Sequence, residues 1–234
     1  MSGLYLVRHG QAGTRANYDV LSELGQEQAR RLGEYFGAQG VRPARVVAGG
    51  LARQRQTAAL VAGADWPAME VDEGWSEFDL DAVYREVAPQ LARVDEEFAH
   101  EYAHLERVMN DAGNAIHRKW TQGDVKVVRA WISGQIPVKD TETWVEFHQR
   151  IRGAWQRLVA GHGEKETVMV FTSATPIGLS VAELLGLPER EALRLAGAKL
   201  NSAYTVFRVR PGDVSLFGFN HAPHLPDAAL HTFR

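Results

Sequence analysis

The chain has 234 residues, 45% of them hydrophobic, which suffices for one sizeable globular core and argues against disorder. Lys and Arg number 26 against 29 Asp and Glu, a formal net charge of -3 with the basic residues dispersed, so neither nucleic acid nor an anionic membrane is an expected partner. Zero cysteines exclude disulfides and thiol chemistry, no run of about 18 apolar residues is present, and the N-terminal apolar run ends at Val7, short for a signal peptide, so a cytoplasmic protein is expected.

In chain order, Leu4 to Val7 reads as a short buried strand that runs into Arg8-His9-Gly10. Ser22 is placed to cap a helix carrying Leu24, Ala29, Leu32 and Phe36 on one side and ending near Gly40, which suits a left-handed C-terminal cap. Arg45 to Ala48 is the next strand, followed by a helix through Thr57, Leu60 and Val61.

From about 80 to 140 the pattern changes. Phe98, Tyr102, Leu105, Met109, Ala112 and Ile116 recur every three or four positions, which predicts one long amphipathic helix within a helical insertion. Asp95, Glu96, Glu97, Glu101 and Arg107 read as its solvated face. Tyr84, Trp120 and Trp131 suit either a helical core or an apolar lining for a substrate.

A further helix carries Trp144, Phe147, Ile151 and Leu158 and breaks at Gly161-His162-Gly163, ahead of a strand over Thr167 to Thr172. Pro211-Gly212-Asp213 then joins two strand-like runs as a hairpin. Alternating strands and helices predict an α/β fold: a three-layer α/β/α sandwich around a mainly parallel sheet, one domain over 1–234 with the helical insertion at about 80–140.

The triplet Arg8-His9-Gly10 falls at the C-terminal end of a parallel strand, where side chains open into the crevice that binds ligands in such sheets. An imidazole attacks phosphorus when a backbone carbonyl holds one nitrogen protonated and leaves the other its lone pair. A neighbouring arginine neutralises phosphoryl oxygens, and a glycine permits close approach. Taken alone, a strand-end histidine is more often structural.

Longer stretches carry more. "LYLVRHGQA", "LSELGQEQARRLG", "LARQRQTAALV", "WSEFDLD", "ETWVEFHQRI", "LNSAYTVF" and "FNHAPHL" follow one another in an order that resembles the histidine phosphatase superfamily, in its phosphoglycerate mutase-like branch. Leu51, Arg53 and Thr57 match one segment, with Gln54 in an alanine place and Gly49 where a serine is common. The resemblance implies that His9 becomes phosphohistidine, that Arg8 and Arg53 hold the phosphoryl group, and that Glu77 protonates the leaving alkoxide and then deprotonates water. Trp75 and Phe78 are placed to desolvate Glu77. The implied substrate is a small phosphorylated molecule, with no cofactor and no metal.

The family's second histidine falls where the chain reads Thr172-Ser173-Ala174. The Ser173 hydroxyl and the Ala174 amide donate hydrogen bonds to a phosphoryl oxygen without supplying charge, so the site is expected to be weakened, not silenced. His162, His221 and His224 are candidates to reach in, although a structural role is the simpler reading of each. The expected function is a metal-independent phosphomonoester hydrolase. The alternative is a catalytically impaired relative that binds a phosphorylated ligand or partner, and a mutase ranks third because it must keep water from the phosphorylated intermediate.

Overall fold

A computed structural model describes residues 3–14, 17–111, 122–163 and 165–233, with the side chains of 104–111 excepted. In chain order the elements are β1 (Gly3–Arg8), α1 (Glu23–Ala38), β2 (Arg45–Ala48), α2 (Ala52–Val61), β3 (Met69–Val71), α3 (Leu80–Leu91), α4 (Glu96–Asp111), α5 (Gln122–Ile132), α6 (Trp144–Ala160), β4 (Thr167–Thr172), α7 (Ala174–Leu184), α8 (Glu189–Gly197), β5 (Tyr204–Arg210) and β6 (Asp213–His221). Packing divides them into two compact units, Met1–Gly13, Asn17–Glu77 and Arg150–Arg234 in the first, Thr14–Ala16 and Phe78–Gln149 in the second.

The first unit is built on a six-stranded sheet in the order β3-β2-β4-β1-β5-β6. β1, β2, β3 and β4 pair in parallel, and the β5–β6 hairpin closes one edge antiparallel, so the sheet is mainly parallel. Every residue of β1 is buried, as a strand covered on both faces requires. Its alternation sends Tyr5 and Val7 against Ala29, Leu32 and Phe36 of α1 and Ala58 and Val61 of α2. Leu4 and Leu6 face the other way, against Ala154, Trp155 and Leu158 of α6 and Ile177 and Val181 of α7. These two apolar layers on one sheet are the α/β/α sandwich expected from the pattern, and each large side chain fully buried in them contributes about 1.5–3 kcal/mol.

Two local signals hold. The Ser22 hydroxyl accepts from Gly25 N at 3.0 Å to cap α1, and Gly40, at φ +64°, ends it. β3 was not anticipated, because its three residues are all exposed and show no period.

The second unit packs on its own aromatic residues. Phe78 meets Trp131 at 4.8 Å and Phe147 at 5.4 Å, and Trp131 meets Trp144 at 5.5 Å between ring centres. Tyr84 and Trp131 are both buried, and Trp131 Nε1 donates to the Glu142 carbonyl at 3.0 Å, so these two serve a helical core. Trp120 lies outside the described residues, as do Ala112 and Ile116 of the predicted stripe. The charges on α4 do more than face solvent. Lys126 of α5 bridges Asp95 at 3.4 Å and Glu97 at 2.6 Å, and Glu101 accepts from Gly123 N at 2.7 Å, which ties α4 to α5. Among the described residues no helix is long and apolar enough to cross a membrane.

Candidate active site

His9 is the first residue past β1, and its backbone is held on both sides. His9 N donates to the Thr172 carbonyl at 2.9 Å, while its own carbonyl accepts from Ser202 N and Asn201 Nδ2, each at 3.1 Å. The imidazole is buried, with Nδ1 2.7 Å from the Gly10 carbonyl. A carbonyl only accepts, so Nδ1 carries the proton and Nε2 keeps its lone pair. Burial, and then the positive charges of Arg53 and Arg8, hold this ring well below its ordinary value of 6.5, against the opposing pull of the Gly10 hydrogen bond. The result is a neutral imidazole with its proton on Nδ1 and its lone pair on Nε2.

That second nitrogen accepts from Arg53 Nε at 3.3 Å. Arg53 sits in the first turn of α2, buried, with the Tyr18 ring 5.0 Å from its guanidinium carbon. Its Nη1 donates to Asp19 Oδ1 at 3.0 Å, and the second oxygen of that carboxylate accepts from Ala52 N at 3.1 Å. Sequence reasoning passed over Asp19, which carries no local signal beyond lying just before the Ser22 cap. Thr57, one turn along α2, accepts from Gly10 N at 3.0 Å and donates to the Arg53 carbonyl at 2.7 Å, locking the loop after His9 to this helix. The glycine at 10 has a reason other than substrate approach: a Cβ there would stand 2.3 Å from the Gly25 carbonyl oxygen of α1.

Arg8 also donates to two main-chain carbonyls. Its guanidinium donates to the Lys199 carbonyl through Nη1 and to the Phe233 carbonyl at 2.6 Å through Nη2. Lys199 is itself fully buried, its amine donating to Thr205 Oγ1 at 2.7 Å and lying 5.2 Å from the Phe219 ring. Burial, then the charge of Arg8, push that amine well below its ordinary value.

Ser173 follows β4 and precedes α7, wholly buried. Its Oγ accepts from Gln54 Nε2 at 2.8 Å, and Gln54 adjoins Arg53 on α2. Ala174 opens α7, and the next amide, Thr175 N, donates to Glu77 Oε2 at 3.1 Å. The structure thus joins His9 to Arg53, Ser173 to Gln54 next along α2, and Glu77 to the same helix end as Ser173 and Ala174. Trp75 is buried in the sheet core and Phe78 in the helical unit's core.

Of the three outlying histidines, His224 is buried with Nε2 2.7 Å from Ser202 Oγ, and so supports the loop that grips the His9 carbonyl. His221 stacks on Tyr204, with ring centres 5.4 Å apart. Among the described residues, neither these nor His162 bonds to His9, and no group of three His, Asp or Glu is arranged to hold a metal ion.

The family model described as histidine phosphatase superfamily (branch 1) matches residues 4–119 and 114–221. Similar solved structures include a candidate α-ribazole-5'-phosphate phosphatase from Escherichia coli, 18% identical over 94% of this chain and 97% of that one, with a TM-score of 0.64. A mycobacterial glucosyl-3-phosphoglycerate phosphatase, solved with inorganic phosphate, is 22% identical over 96% of this chain and 99% of that one, at 0.61. A phosphoserine phosphatase from Entamoeba histolytica, in complex with phosphoserine, is 18% identical over 96% of this chain and all of that one (100%), at 0.60. No curated protein matches the chain.

Proposed function

The chain belongs to branch 1 of the histidine phosphatase superfamily, and on that premise we propose that it is a metal-independent phosphomonoester hydrolase working through a phosphohistidine on His9. The observation that carries this reading is the buried His9 ring with Nδ1 against the Gly10 carbonyl and Nε2 against Arg53. Nε2 attacks phosphorus as the ester P–O bond breaks, and Glu77 gives its proton to the departing alkoxide. The imidazole then carries a positive charge shared with the Nδ1–H that the Gly10 carbonyl accepts. Glu77, now a carboxylate, takes a proton from water as that water's oxygen attacks the phosphohistidine. The P–N bond breaks, inorganic phosphate leaves, and His9 returns to neutral.

Charge spread over the transferring oxygens is met by Arg53, by the Ser173 hydroxyl and the Ala174 amide, and at longer range by Arg8. Support for a small phosphorylated substrate comes from what the neighbours are named for, phosphoserine and glucosyl-3-phosphoglycerate. A second reading, a protein that binds a phosphorylated ligand without turning it over, draws on the neutral Ser173 at the position after β4.

Hydrolysis of p-nitrophenyl phosphate in EDTA separates the two, run beside a His9→Ala variant. Turnover that disappears with His9 is expected. Equal, EDTA-insensitive turnover in the variant would sink the mechanism, and absent turnover in both would move the reading to ligand binding.

A further inference from the structure

Three positions at which the sequence departs from the family pattern, Gly49, Gln54 and the distant Ser173, lie together in space. Gln54 and Ser173 are both fully buried and joined at 2.8 Å, and a Cβ on Gly49 would stand 2.2 Å from Gln54 Oε1. Gly49 is therefore what makes room for the glutamine.

The amide of Gln54 has a fixed sense. The Trp75 carbonyl, which only accepts, lies 3.3 Å from Nε2, and Leu51 N, which only donates, lies 3.2 Å from Oε1. Nε2 therefore donates into Ser173 Oγ and occupies that oxygen as an acceptor. Ser173 precedes α7 yet its oxygen caps no helix amide, so Gln54 is the donor it accepts from, and among the described residues no hydrogen bond donated by its hydroxyl is found. Arg8 and Thr172 are register partners on parallel strands, so His9 and Ser173 leave adjacent strands side by side.

We infer that Gln54 is a positioning residue, which holds the Ser173 oxygen and turns its proton toward the group transferred at His9. The hydrogen-bonded pair is a preorganised neutral donor, and Gln54 acts only through Ser173. This rests on the phosphoryl-transfer reading above and adds a residue to it.

The test is a double-mutant cycle on p-nitrophenyl phosphate with Gln54→Leu, Ser173→Ala and both together, each checked by thermal melting. Ser173→Ala is expected to lower kcat about a hundredfold. Gln54→Leu, which keeps the volume and frees the hydroxyl, is expected to lower kcat about tenfold with KM within about twofold. The double variant should be no slower than Ser173→Ala, since no hydroxyl remains to aim. Losses that multiply would overturn the proposal, because a purely structural Gln54 acts whatever stands at 173. Gln54→Glu gives a second check: a carboxylate accepts, captures the serine proton, and should be slower than Gln54→Leu, so a wild-type rate there also overturns it.

The same cycle read as inorganic phosphate affinity by calorimetry keeps the two ideas apart. No turnover with coupled losses in affinity sinks the hydrolase and leaves the pair standing. Turnover with multiplicative losses does the reverse, and a wild-type protein that neither turns over nor binds phosphate overturns both.

Discussion

At the scale of single side chains, the space around Ser173 decides what else can stand there. Gln54 Nε2 lies 2.8 Å from its Oγ, and both residues are fully buried, so an imidazole at 173 overlaps the carboxamide. Ser173→His alone is expected to destabilise the protein by about 1–3 kcal/mol, as overpacking does, with no gain in turnover. Cutting the neighbour back in the Gln54→Ala/Ser173→His double variant opens the volume, and turnover should then rise above that of the parent. Melting curves and p-nitrophenyl phosphate kinetics check both. A stable and faster Ser173→His single variant would contradict the packing described here. Motif order was enough to single out His9, Arg53 and Glu77, because they lie in stretches with recognisable neighbours. The contacts of Asp19 and Gln54 were not legible, since each is made with a partner 33 to 119 positions away.

At the scale of elements, the loop after His9 is wedged between two helices. Thr57 ties it to α2, and the Gly10–Gly25 approach seats it on the start of α1. A Cβ on Gly25 would stand 2.1 Å from the Gln11 carbonyl oxygen, which is backbone and cannot swing away. Gly25→Ala is therefore expected to cost on the order of 1–3 kcal/mol in urea denaturation and to lower kcat as the loop shifts. Gly37, late in the same helix, has nothing within 4 Å of its notional Cβ. Gly37→Ala should instead stabilise by about 0.5–1 kcal/mol and leave kinetics unchanged. Two effects of the same sign would show that the close approach is not what matters. Helix α1 was legible from both ends because a cap is local chemistry, a serine hydroxyl and an amide three residues on. The β3 strand was not, because its place is set by pairing with β2.

At the scale of the whole molecule, buried cationic groups set how stability follows pH. Lys199, His9 and His224 are all pushed down by burial, His224 to about 4. The unfolded chain therefore holds more protons than the folded one between each lowered value and the ordinary one, and stability rises with pH across that window. The histidines act below about 6.5, and Lys199 acts up to about 10.5. Tyr5 and Tyr204 are pushed up, so they reverse the trend only above about 10. Urea stability should thus climb as pH rises towards about 10, by at most about 1.4 kcal/mol per pH unit for one proton. Lys199→Met should flatten that climb, and an unchanged slope would show that the buried amine is not its source. By itself the sequence determined the strand and helix periods, the α/β class, the Ser22 cap and the order of the motifs, since each is encoded within a few residues or in chain order. Only the tertiary structure decided that Arg53 meets His9 across 44 positions, that Gln54 holds Ser173 across 119, and that Arg8 turns to Phe233 across 225. Such contacts depend on where the sheet and its helices carry each backbone, which no short window of sequence contains.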